Sequence, residues 1–146
     1  MLKFFSEYRV RQEQRREFLG LLAEVKSNLE LYYVMFQLGK LRFFVLDFWE
    51  TIKTNSEGSW NQMIPEYIRR LTEYNRILKE YKDFEFWYND DLDRKNKNNG
   101  CVLHQKKELA QVQFQGLEPV IKDAVSVIEQ QAILRKIIKA NRILNV

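Results

Sequence analysis

Breakers and special residues are scarce in this chain: two prolines, five glycines, one cysteine and one histidine in 146 residues. So little proline and glycine predicts long helices. A single cysteine excludes an internal disulfide and fits a reducing compartment. The opening stretch "MLKFFSEYRVRQEQRR" has no apolar core of the kind a signal peptide carries. We therefore expect a cytoplasmic protein. An unbroken apolar run is missing as well. Residues 31–49 are the greasiest window, but Gln37, Gly39, Lys40, Arg42 and Asp47 interrupt it. Three charges in mid-span would each cost about 2.5–3.5 kcal/mol at the centre of an inserted helix. That window reads as a packed helix pair, with no integral membrane segment.

The lone cysteine and histidine also bound the chemistry. Residues 87–104, "WYNDDLDRKNKNNGCVLH", gather Asp90, Asp91, Asp93, Cys101 and His104. A structural zinc site needs four Cys or His ligands, and the chain has two. A calcium loop needs oxygens at alternating positions and a closing glutamate. Here Lys95 and Lys97 stand where ligands should be, and the next glutamate is Glu108. No Glu stands three residues before His104, as a di-iron bundle requires. Gly-rich phosphate loops, Ser-x-x-Lys and Gly-x-Ser-x-Gly are absent. His104 is followed by "QKKEL", which lacks the residues that flank phosphate-accepting histidines. No enzyme, metal site or cofactor is expected. The stretch reads as an exposed, mobile connection in which Asn99-Gly100 turns the chain.

What is present is a globular composition: 45% hydrophobic, 30% charged, with ten Phe, seven Tyr and three Trp. One domain over residues 1–146 is long enough to bury about 70% of its unfolded surface. Phe18, Leu22, Val25, Leu29, Tyr32 and Phe36 follow 4,3,4,3,4 spacing, one stripe of a long helix from near Ser6 to Gly39. At 1.5 Å per residue it spans about 50 Å. Leu41, Val45, Phe48 and Ile52 predict a short second helix, closed by "TNSEGS". Ser59 and Gln62 have capping-box spacing and predict one extra turn before Pro65. Tyr67, Leu71, Tyr74, Leu78 and Tyr81 predict a third helix from Pro65 to about Tyr88.

The last helical region runs from about His104 to Asn141. Gly116 and Pro119 predict a kink or a break in it. Beyond them Leu117, Val120, Ala124, Val127, Leu134 and Ile138 line a face, with Ile121 and Ile128 beside it. No strand pattern appears. The expected fold is an all-α antiparallel helical bundle of four to five helices, with a long first helix and a kinked or broken last one.

Two functional classes fit such a chain. Tyr33, Phe43, Phe84, Phe86 and Trp87 exceed what one small core can cover, and aromatics are enriched at protein interfaces. This points to a non-enzymatic interaction or scaffold protein whose simplest partner is a second copy, a homodimer. The alternative is weak nucleic-acid or anion binding. Net charge is +4, with basic clusters at residues 3–16, 94–107 and 135–142. Arg9, Arg11, Arg15 and Arg16 would form that face.

"EVKSNLELY…FWETIKTNSEGSWNQMIPEYIRRLTEYNRIL" resembles a pattern of small uncharacterised archaeal and bacterial helical proteins. The pattern is a Glu-x-x-x-Asn helix, a Trp-Glu helix and a helix with Tyr-Asn near its middle. The matching residues are Glu24, Asn28, Trp49, Glu50, Tyr74 and Asn75, within residues 24–78. The resemblance implies a helical fold and brings no activity with it. Many members of that group carry a membrane-spanning helix before this region, whereas here the preceding residues are charged and polar. Asn28 and Asn75 each sit beside a stripe residue. We expect them to make partly buried hydrogen bonds that fix helix register, since an unpaired buried amide costs about 1–3 kcal/mol.

Overall fold

The computed structural model describes the backbone of residues 2–54 and 59–144. Within it the side chains of residues 12–13, 15–54, 60 and 62–131 are described. The elements are α1 (Leu2–Leu38), α2 (Asp47–Ile52), α3 (Ser59–Met63), α4 (Pro65–Asp90), α5 (Lys97–Phe114) and α6 (Leu117–Leu144). A 3-10 turn, Leu92–Arg94, joins α4 to α5. No strand occurs among the described residues, and the fold is all-α with four long helices.

α1 ends where glycine allows it. Gly39 takes φ +67, and its N–H donates to the Met35 carbonyl at 2.9 Å. This left-handed residue just past the last turn satisfies a carbonyl the helix would otherwise leave bare. At the start of α4, Ile64 sits outside the helical region (φ −129, ψ 49), as the proline after it requires. The extra turn before Pro65 is α3.

The helices pack in a mixed sense. α6 runs antiparallel to α1: Lys26 pairs with Glu129 at 3.0 Å, and the Tyr33 hydroxyl donates to Glu118 at 3.2 Å. α4 and α5 form an antiparallel hairpin, with Tyr74 near Phe114 and Phe84 near Lys106. α1 and α4 point the same way, since Asn28 meets Tyr67 and Met35 meets Tyr74. Residues 39–64 make the crossover that this parallel pairing needs. The shared core holds Leu21, Val25, Met35, Tyr67, Leu71, Tyr74, Leu78, Leu117, Ile121 and Ile128, all essentially sealed from solvent.

Three sequence expectations shift. In α1 the buried line is Phe18, Leu21, Val25, Asn28, Tyr32 and Met35, while Leu22 and Leu29 are half-buried and Phe36 is 69% exposed. The crossover lies against α1 and turns its inward face toward Glu24 and Asn28. In the crossover, helix is confined to Asp47–Ile52. Residues 40–46 are not helical, because side chains of α1 and α4 take up their backbone groups.

The third shift is at residues 87–104. Only residues 91–96 link the two helices, and they are well bonded. Asp91 Oδ1 accepts from the Asp93 N–H at 3.0 Å, and Asn96 caps α5 by accepting from the Asn99 N–H at 2.8 Å. Asn99 Nδ2 donates to the Arg94 carbonyl at 2.7 Å. Asn99-Gly100 therefore lies in the first turn of α5 and does not turn the chain. An Asn-rich stretch was open to both readings, and the N-cap decides it.

Between α5 and α6 the helix breaks at Gln115 and Gly116, with Gly116 at φ +83. Pro119 falls in the first turn of α6, where no intrahelical N–H bond is lost. The last helix is also bent, by 37°. Leu117, Ile121, Ala124 and Ile128 are buried and Val120 and Val127 half-buried; the side chains of Leu134 and Ile138 lie outside the described residues.

Candidate functional site

The most elaborate polar arrangement among the described residues surrounds residues 40–46, a strap between α1 and α4. Two asparagines hold it. Asn28 Oδ1 accepts from the Val45 N–H at 2.9 Å, and Asn28 Nδ2 donates to the Val45 carbonyl at 2.8 Å. Asn75 does the same for the neighbouring residue: Oδ1 accepts from the Phe44 N–H at 2.9 Å, and Nδ2 donates to the Phe44 carbonyl at 3.0 Å. A primary amide presents one acceptor and two donors, so it can match both backbone groups of a single residue. Asn28 uses its second N–H as well, donating to Tyr67 Oη at 2.8 Å.

Further along, the Tyr74 hydroxyl donates to the Arg42 carbonyl at 3.0 Å, while the Arg42 N–H points at Met35 Sδ at 3.0 Å. The strap is thus bonded at three successive places, Arg42, Phe44 and Val45. Phe44 turns inward, 3% exposed, with its ring 5.1 Å from that of Tyr74. Phe43 and Val45 turn outward, 41% and 44% exposed.

At the end of the strap, Glu24 caps α2. Its Oε1 accepts from the Phe48 N–H at 2.8 Å and its Oε2 from the Trp49 N–H at 3.1 Å. A helix start leaves such N–H groups without intrahelical partners. Leu46, the N-cap, makes no side-chain bond of its own, so the cap comes from another helix. Burial pushes the Glu24 carboxyl above the usual carboxylate range. The two backbone N–H groups pull it back down, and nearby Asp47 adds to the rise. Burial likewise raises the phenol of Tyr67, opposed by the Asn28 bond and reinforced by the charge of Glu24.

Gly20 makes room for this contact. A Cβ there would lie 2.2 Å from the Phe48 ring. The glycine inside α1 is the seat on which Phe48 rests.

Asn28 is fully buried and Asn75 half-buried. Both bond chiefly to strap backbone; the Asn28–Tyr67 bond is the helix-to-helix one. Glu24, known from the sequence only as a matching position, and Tyr74, also a stripe residue of the third predicted helix, join the same network, and Trp49 supplies one of its capped N–H groups. Glu24, on the inward face of α1, was a buried carboxylate that hydrophobic periodicity had no means to mark.

Arg15 and Arg16 are exposed on α1, and the side chains of Arg9 and Arg11 lie outside the described residues. Cys101 is exposed, and His104 Nε2 faces Glu108 Oε1 at 2.9 Å on the surface of α5. Among the described residues no three His, Cys, Asp or Glu side chains gather to hold a metal ion. No helix among them is long and apolar enough to cross a membrane. What the arrangement around the strap does chemically is recognise peptide backbone and present two apolar side chains. Comparison with known protein families, with curated proteins and with solved structures finds no match for this chain.

Proposed function

We propose that this chain is a non-enzymatic interaction module that pairs with a second copy of itself through the strap face. The observation that carries this reading is the outward pair Phe43 and Val45, held bare on a strap whose backbone groups are taken up on the inner side. Val34 and Leu38 are bare apolar side chains as well. They lie one turn apart on the part of α1 beside the strap, 41% and 61% exposed. Exposed apolar side chains grouped on a rigid support are the usual mark of a protein interface. A second copy is the simplest cover because a two-fold interface needs only one self-complementary patch. Charge borders the patch: Lys40 and Arg42 are exposed on the strap, and the Lys82 ammonium stands 5.1 Å over the Phe43 ring.

Light scattering over a concentration series tests the proposal. The dimer fraction should rise with concentration and fall sharply in Phe43→Asp and Val45→Asp. A wild-type monomer at all concentrations would overturn it.

A further inference from the structure

The basic run at residues 94–107, which has no acidic member, is left unused by the strap. In the structure two of its cations meet aromatics on the α4–α5 hairpin, the exposed Trp87 and the half-buried Phe84. Arg94 Cζ stands 5.1 Å over the Trp87 ring, Trp87 lies 5.3 Å from Phe84, and Lys106 Nζ stands 5.7 Å from the Phe84 ring. The order Arg94, Trp87, Phe84, Lys106 is a continuous ladder with a cation at each end. Among the described residues Lys95, Lys97, Lys106 and Lys107 take part in no ion pair, unlike Arg69, Arg76 and Lys79, each of which is bound to a carboxylate on its own helix. Among nearby acids, Asp90 is engaged with Arg94 at 3.5 Å, Glu108 faces His104, and Asp93 is exposed.

We propose that this ladder is a second binding surface, for single-stranded nucleic acid, distinct from the Arg9–Arg16 face and from the strap. Stacking platforms flanked by cations suit such a ligand, because every base offers a π-face and every linkage a phosphate. Bases stack on Trp87 and on the guanidinium plane of Arg94, and phosphates lie toward Lys106. Recognition of this kind has little sequence preference and weakens with salt.

The molecule carries its own reporter. Trp49 and Trp60 are buried, 6% and 3% exposed, while Trp87 is 41% exposed. Titrating the full chain with oligothymidylate or oligouridylate at low salt should quench tryptophan fluorescence. The affinity should fall as salt rises. Removing Lys106 (to Ala) should flatten the log–log salt slope by about 0.7. Trp87→Leu should weaken binding roughly 5- to 150-fold, the loss of one base–aromatic stack, measured by anisotropy of a labelled oligonucleotide. Trp87→Phe should keep binding but lose the quenching. Absence of quenching at low salt, affinity unchanged in Trp87→Leu, or equal quenching by polyglutamate would each overturn the proposal, the last by making the ladder a site for acidic protein segments.

Discussion

Asn28 and Tyr67 meet at 2.8 Å, the amide donating to the phenol oxygen, while the same amide holds both backbone groups of Val45. One fully buried side chain thus ties α1, the strap and α4 together. Asn28→Leu keeps the number of side-chain heavy atoms but strips three bonds. It should cost about 2–4 kcal/mol, given about 1–3 kcal/mol for each buried polar group left unpaired. Tyr67→Phe, which removes only one of those three bonds, should cost less, about 0.5–1.5 kcal/mol. Urea denaturation with a constant m-value would measure both; equal costs for the two variants would contradict the division of roles.

Asn28 and Asn75 act on adjacent residues of one short segment, so their effects should not add. Once either lets go, the strap is already loosened and the other has less to hold. The double variant Asn28→Leu/Asn75→Leu should be less destabilised than the sum of the singles. A coupling energy within about 0.5–3 kcal/mol is the range for residues sharing a network. Additivity within error would show that the two clamps work independently.

Glu24 gives stability a pH dependence of definite sign. Its folded pKa lies above the unfolded value, chiefly through burial, so the folded chain binds the proton more tightly. The stability associated with this group is fully present below the unfolded value near 4.5 and is lost as pH rises through the higher folded value. Other carboxylates cancel when wild type is compared with Glu24→Gln. The unfolding free energy of wild type minus that of the variant should therefore shrink as pH rises above 4.5. A difference that grew over the same range would reverse the sign and rule out burial as the dominant influence.

Gly20→Ala should destabilise, although alanine is favoured over glycine inside a helix by about 1 kcal/mol. The new methyl would meet the Phe48 ring, and either the ring or α2 must move. Overpacking of this kind costs about 1–3 kcal/mol. Phe48→Leu in the same chain should recover part of the loss. Thermal melts of the two singles and the double would show the rescue, and a Gly20→Ala variant more stable than wild type would contradict the close contact.

How much of this could be read in the sequence follows from what each signal measures. Apolar spacing marked α4 well, because Tyr67, Leu71, Tyr74 and Leu78 all face the core and nothing competes with helix there. Gly39 and Gly116 were legible because the chain needs positive φ at both. The same spacing misled at Leu41, Val45, Phe48 and Ile52, where the intervals are helical and the first half of the segment is not. Periodicity records side-chain hydrophobicity; it is blind to Asn28, Asn75 and Tyr74 offering the backbone a substitute for helical bonds from far along the chain. It also set the α1 stripe through Phe36 and not through Met35, since Glu24 and Asn28 count as polar yet face inward. At residues 87–104 the gathering of rare residues suggested chemistry. What organises that stretch is an asparagine cap, a short-range feature hidden among four asparagines.

The claim on which the rest depends is that the strap is clamped side chain to backbone while remaining outside any helix. Hydrogen exchange at the Phe44 and Val45 amides tests it most directly, in wild type and in the two asparagine variants. Both amides should exchange slowly in wild type. Phe44 should become fast first in Asn75→Leu and Val45 in Asn28→Leu, while amides in the middle of α4 stay protected. Fast exchange at both sites in wild type, or protection unchanged in either variant, would contradict the clamp.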